Sequence, residues 1–404
     1  MADLFDNIIA WLLEQALGDD DISPIVQGLA QRLIDGGVPL ARISIGRSIV
    51  HPTIGLIDMQ WDRESGQVSV QSLSRDQVHA GIVNDEPFAD ISHGRVERIA
   101  ANLKNPKDVA RYPLFAKLAD RGLTGYLAFG IRFGRTNKLY ADIHADFRGA
   151  SLSFATKRFS GFSATDREGL ERILPAIAVC LHVDMERFIS GEILKTYLGS
   201  ISGKLVLKGE VSRGDGQQID CAIFYSDLRE SVELSRRLDT QTYLDTINAY
   251  FDCTATAVDE HGGEVLKFIG DGVLAIFPFD DAKRPRANMC AAALASAQEA
   301  FARAEHVNAA RAVANLPALQ FGVGLHVGTV IHGNVGTTRR LDFTATGPAV
   351  GLASRCEGMT RVLDTPLIAT AQFAEFCPSP STDLGQHSLR GFGAPMTLVT
   401  YPMT

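Results

Sequence analysis

The sequence predicts an α+β protein built from two units. Helical periodicity over the first 35 residues gives way to strand-like pieces and then to a second helix before residue 190. From Ile219 onward the apolar pattern settles into a regular β-α-β-β-α-β order, and no internal repeat or low-complexity tract interrupts either part. A chain of 404 residues is long enough for each unit to bury a core of its own.

Residues 1–190 open on an amphipathic helix with an acidic end and without the basic flank of a signal peptide. Strand-like pieces follow at 41–49, 53–61, 67–70, 125–133 and 152–156. In FSATDREGLERILPAIAVCLHVDMERF, Ser163 or Thr165 can cap a helix that carries Leu170, Ile173, Leu174, Ile177 and Leu181 on one face. Helix, sheet, helix in this order resembles a GAF-like sensor domain in layout, without a diagnostic motif, which implies a mixed α/β regulatory unit whose signal the residues do not name. No metal-ligand cluster, phosphate loop or nucleophile constellation occurs there. His51 and Trp61 are expected to pack or to line a surface turn. Residues 191–218, GEILKTYLGSISGKLVLKGEVSRGDGQQ, are patterned like a structured connector rather than a floppy linker.

Residues 219–404 begin with the strand IDCAIFYSD. A helix from Thr240 to about His261 places Leu244, Ile247, Phe251 and Val258 at helical spacing, and Gly262-Gly263 stops it. The hairpin EVLKFIGDGVLAIFP, a helix over about 284–304, the strand FGVGLHVG, a loop, the strand LDFTATG and a helix from about Pro348 complete the order. This is the pattern of a ferredoxin-like α+β sandwich.

Bulk properties narrow the function. A formal charge of −8 argues against a nucleic-acid binder, which needs a basic face, but leaves room for a nucleotide site. The six cysteines are scattered without CxxC spacing and read as buried thiols of a reducing cytoplasm. The longest apolar run, residues 173–183, is far below the ~20 needed to span a bilayer.

Two carboxylates stand out. Asp227 ends the first strand of the second unit and Asp271 sits in a Gly-Asp-Gly turn, so strand pairing would bring them together. Singly, each is what a turn or helix cap would use. Together they suit Mg²⁺, which takes oxygen ligands and leaves room for phosphate.

The blocks FYSDLRESVELS, HGGEVLKFIGDGVLAIFP, GLHVGTVIHGNVG and RRLDFTATGPAVGLASRCEG, in this order, resemble the catalytic domain of class III nucleotidyl cyclases over about 215–400. The arrangement of N-terminal unit, YLG connector and cyclase is similar to a group of proteobacterial adenylate cyclases. The resemblance implies that Asp227 and Asp271 hold two Mg²⁺ ions, for which Mn²⁺ can substitute. It implies that Lys267 and Thr344 read the purine, the lysine donating to adenine N1 and the hydroxyl accepting from the 6-amino group. Guanine presents the opposite edge, and guanylate-specific members carry Glu at the lysine position. Arg355 matches the residue that stabilises the pentavalent phosphate. Arg339 and Arg390 match basic positions on the triphosphate.

Two departures bear on activity. Gly351 stands where an Asn helps orient the ribose, and the loss of one such donor costs about a hundredfold in rate. Glu230-Ser231-Val232 replaces Gly-Phe-Thr after the first metal Asp, adding a negative charge near the triphosphate. In the family, the two aspartates belong to one face of a dimer and Lys267, Thr344 and Arg355 to the other, so the resemblance implies a homodimer with two composite sites. The expected function is conversion of ATP to cyclic AMP, regulated by the N-terminal unit. The opposing expectation is a non-catalytic nucleotide-binding module, for which the two departures speak. HGGEVLKF is similar to the GG[DE]EF signature of diguanylate cyclases, but Val265 replaces the required acid and the later FTATG block argues against that class.

Overall fold

A computed structural model describes residues 2–18, 21–49, 54–133, 149–280 and 282–403, so His51 lies outside the described residues. The chain divides into Met1–Ile193 and Leu194–Thr404. The first unit comprises α1 (Ala2–Leu17), α2 (Ile22–Asp35), β1 (Arg42–Ser48), β2 (Ile54–Asp62), β3 (Val68–Ser74), α3 (Arg75–His79), α4 (Pro87–Ser92), β4 (Arg98–Asn102), α5 (Pro106–Val109), α6 (Pro113–Asp120), β5 (Gly125–Arg132), β6 (Gly149–Thr156) and most of α7 (Ala164–Leu198). The second holds α8 (Ser200–Leu207), β7 (Gly216–Leu228), α9 (Ser231–Arg237), α10 (Thr240–Glu260), β8 (Glu264–Ile269), β9 (Gly272–Pro278), α11 (Arg286–Val313), β10 (Phe321–Gly336), β11 (Leu341–Thr346), α12 (Pro348–Val362), β12 (Leu367–Thr370), α13 (Ala371–Ala374), β13 (Thr382–His387) and β14 (Met396–Thr400).

In the first unit a six-stranded sheet runs β3-β2-β1-β6-β5-β4. Period-two alternation sends Ile43, Ile45, Met59, Trp61, Leu152 and Phe154 to one face, where they pack with α1, α2 and α7. Trp61 is thus a core residue, as expected. Of the two candidate caps for α7, Ser163 takes the role: its hydroxyl accepts from the Asp166 amide at 3.1 Å while its own amide donates to the Asp166 carboxylate at 2.7 Å. Residues 98–102 form a strand that periodicity missed, because a five-residue edge segment gives too short a pattern.

In the second unit the strands of the β-α-β-β-α-β order lie as β10-β7-β9-β8, fourth, first, third, second. Helices α10 and α11 cover one face through Tyr250, Cys253, Ala257, Ala293 and Ala297. Ala349 and Ala353 of α12 pack on the other, against Ile223, Leu274 and Val330. All six cysteines are free and buried.

One expectation needs correction. The stretch after FGVGLHVG is not a loop: β10 continues unbroken to Gly336, pairing with the whole of β7 and then with β11. Glycine makes this possible, since a Cβ at Gly333 would stand 2.4 Å from the Asp215 carbonyl. Among the described residues no helix is long and apolar enough to cross a membrane.

Candidate active site

The register of the central strands decides where the carboxylates go. Asp227 pairs with Gly272 of β9 on one side and with Gly322 of β10 on the other. Asp271 sits in the two-residue turn between β8 and β9, opened by Gly270 at φ 64°, and its carbonyl accepts from the Leu228 amide at 3.3 Å. The two predicted aspartates are therefore brought together at one end of the sheet, on the face that α12 covers. Burial first, and then the Asp271 carboxylate, push Asp227 up to about 6, against the pull of Arg361, whose guanidinium lies 4.0 Å away.

A third carboxylate joins them that the sequence reading missed. Glycines at alternate positions of β10, Gly322, Gly324 and Gly328, let α12 settle onto the strand. A Cβ at Gly324 would stand 2.1 Å from the Ala353 carbonyl, and one at Gly322 would stand 2.6 Å from Glu357 Oε1. Glu357 is thereby buried, 6% exposed, and its Oε1 has no hydrogen-bond partner among the described residues. Burial, followed by the charge of Asp227, pushes it up to about 7. The alternating glycines of GVGLHVG were the available signal, since alternate glycines on one strand face announce a close-packed neighbour.

Lys267 owes its direction to a β-bulge. The register of β8 against β9 shifts between Val265 and Lys267, so that Leu266 joins the apolar cluster on the α12 face while Lys267 turns toward β11. There its ammonium pairs with Asp342, two residues before Thr344 on the same strand face. Lys267 is thus held at the strand that carries Thr344 by Asp342, which the sequence reading also missed. Residue spacing shows that Asp342 and Thr344 share a face, but only strand pairing shows that β8 meets that face.

The arginines form a separate group. Arg355 projects from α12 and its Nε donates to the Arg390 carbonyl at 3.3 Å, so these two lie together. Arg339 stands exposed in the turn between β10 and β11, its amide donating to Thr337 Oγ1 at 3.3 Å. Gly351 lies one turn before Arg355. A Cβ there would touch only the Phe392 ring, at an ordinary 3.6 Å. Glu230 caps α9 with φ 58°, a left-handed conformation that strains a non-glycine residue, at the position where the resembling pattern carries Gly.

The donor chemistry at Asp227 and Asp271 is all oxygen, with a single arginine at 4.0 Å as the nearest counter-charge, which suits a hard divalent cation. Among the described residues no group of three or more His, Cys, Asp or Glu is placed to enclose a metal.

Comparison with known proteins gives these findings. Residues 215–375 match the family model described as adenylate and guanylate cyclase catalytic domain, a stretch that includes every candidate site residue named above except Arg390. Over 148 residues the chain is 33% identical to an adenylate cyclase of Anabaena cylindrica, covering 37% of this chain and 29% of that protein. It is 31% identical over 156 residues to adenylate cyclase 1 of Rhizobium meliloti (strain 1021), covering 38% and 23%. The chain thus spans less than a third of the length of these curated relatives. Among solved structures, the adenylyl cyclase CyaB from P. aeruginosa is similar at 25% identity and a TM-score of 0.40, covering 46% of this chain and 94% of that one. The guanylyl cyclase Cya2 is similar at 26% identity and a TM-score of 0.40, covering 46% and 92%.

Proposed function

Since residues 215–375 are an adenylate and guanylate cyclase catalytic domain, we propose that the protein is an adenylate cyclase, in which the ATP 3′-hydroxyl attacks the α-phosphorus and pyrophosphate departs in line. The observation that carries this reading is the crowding of Asp227 and Asp271 at one sheet end, with Glu357 buried behind them. Asp227 and Asp271 would hold two Mg²⁺, or Mn²⁺ in their place, which when bound supply charge neutralisation at the attacking and leaving oxygens.

The chain's own residues do the rest. Lys267 donates to adenine N1, and its pairing with Asp342 holds the ammonium beside Thr344, whose hydroxyl accepts from the 6-amino group. Arg355 spends its Nε on the Arg390 carbonyl, which orients the fork and leaves the terminal N–H groups for phosphate oxygens. Arg339 and Arg390 serve the triphosphate. The N-terminal unit, read as GAF-like, regulates this site through residues 191–218. The buried free thiols fit a cytoplasmic setting.

We place the active site between two copies of the chain, one supplying the aspartates and the other Lys267, Thr344 and Arg355. Supporting this, within one chain Arg355 donates to the Arg390 carbonyl, while the guanidinium that Asp227 faces is that of Arg361. Asp227→Ala and Arg355→Ala chains, each inactive alone, are expected to recover cyclic AMP formation from ATP when mixed. A mixture as inactive as its components would exclude the shared site, and a wild-type chain that binds ATP but makes no cyclic AMP with Mg²⁺ or Mn²⁺ would exclude catalysis.

The second reading, a nucleotide-binding module without turnover, is favoured by the strained Glu230 and by Gly351. The latter is testable directly. Because the site has room for a side chain at 3.6 Å from Phe392, Gly351→Asn is expected to fold and to raise turnover by up to about a hundredfold. Unchanged turnover would mean that another group already orients the ribose.

A further inference from the structure

The sheet face of the first unit that lies opposite its core carries charge where an apolar surface would be expected. Alternation along β1, β2 and β6 puts Arg42, Ser44, Asp58 and Ser153 on this face, and α4 and the segment before it roof a cavity of about 320 Å³ over them. Arg42 is 4% exposed, yet among the described residues its guanidinium makes no hydrogen bond and no ion pair; burial is the largest influence on its charge and opposes it, Tyr126, Asp58 and Asp62 favour it, and Arg121 opposes it. Asp58 is already occupied, accepting from Ser44 Oγ at 3.1 Å and from the Gln60 amide. Glu86, at the cavity rim, has its Oε2 buried without a partner, and burial favours its neutral form.

A buried guanidinium keeps its proton, and leaving it unpaired is strongly unfavourable. A fold that keeps it at a cavity wall therefore leaves a place for an anion. Size and lining say which kind. The volume is that of a small-molecule site rather than of a single bound ion. Leu56, Phe88, Ile91 and Leu114 make the far walls apolar, while the Tyr126 hydroxyl and Ser153 flank the charged end.

We propose that the first unit binds a small organic carboxylate in this cavity, its carboxylate paired with Arg42 and its apolar body against the roof formed by α4.

The test is calorimetric titration of the full chain with 4-phenylbutyrate and with octanoate, each against its primary amide. Both carboxylates are expected to bind, at least about tenfold more tightly than the amides, as a charge-assisted bond to arginine requires. Arg42→Met is expected to abolish the difference. Asp58→Asn, whose carbonyl oxygen can still accept from Gln60 while its amide donates to Ser44 Oγ, removes a negative charge near Arg42 and is expected to tighten carboxylate binding, and it decides the matter should Arg42→Met fail to fold. No binding of either carboxylate at roughly millimolar concentration, equal binding of acid and amide, or unchanged or weaker binding in Asp58→Asn overturns the proposal.

Discussion

Asp227→Asn is expected to lower cyclic AMP formation by about a thousandfold, because an amide of the same shape cannot supply the negative charge that the paired carboxylates offer a divalent cation. The same substitution is expected to leave the ligand-free chain at least as stable at neutral pH. The carboxyl of Asp227 is raised from 3.8 to about 6 in the fold, so the folded state holds its proton more tightly than the unfolded chain does. That contribution is complete below about pH 4 and is lost as pH rises through about 6, after which the charge opposes burial and the charge of Asp271. With a third of the side chain open to solvent, the effect is on the order of 1 kcal/mol. Urea unfolding of wild type and variant between pH 4 and 8, run beside the activity assay, checks both halves. Turnover within tenfold of wild type would remove Asp227 from the mechanism. A large loss of stability would leave the activity result ambiguous, and the pH series guards against that.

The second large effect concerns the base. Lys267→Glu with Thr344→Cys is expected to shift preference from ATP toward GTP by roughly a hundredfold, since the two purines present opposite donor and acceptor edges to a site built on hydrogen bonds. The pairing of Lys267 with Asp342 adds a condition. Glutamate at 267 would face Asp342 as a like charge, so the switch is expected to be fuller when Asp342→Asn accompanies it. Competition between ATP and GTP for the wild type, the double variant and the triple variant reads this directly. Identical handling of the two nucleotides in all three proteins would mean that these side chains do not read the base.

Much of the second unit was legible from period and punctuation. The Gly-Asp-Gly turn, the helix beginning at Thr240, which the structure shows capped by Asp239, and the strand that carries Asp227 to its end at Leu228 are local events, encoded by residues within one or two turns of each other. The extension of β10 through residues 329–336 was not legible, because glycine reads as a breaker until a partner strand is known to need the space. Glu357 and Asp342 escaped for a related reason. Each acquires its neighbours from a strand or helix remote in sequence, and nothing in its own surroundings marks it. In the first unit the same blindness hid the short β4 and the cavity under α4, since a charged residue such as Arg42 at an alternating strand position looks like an ordinary solvent-facing one until the roof is placed over it.

The order of residues alone determined the β-α-β-β-α-β succession of the second unit, the pair of aspartates at the tips of adjacent strands and the lysine four residues before the second. These follow from backbone preferences and side-chain period, which act over short range. Only the tertiary structure decided that a bulge turns that lysine onto Asp342 and that three glycines draw a helix down to bury Glu357 beside Asp227. It alone decided that an arginine of the first unit stands at a cavity wall without a partner among the described residues. Contact distance and burial are set by what packs from elsewhere in the chain, and no local pattern carries that information.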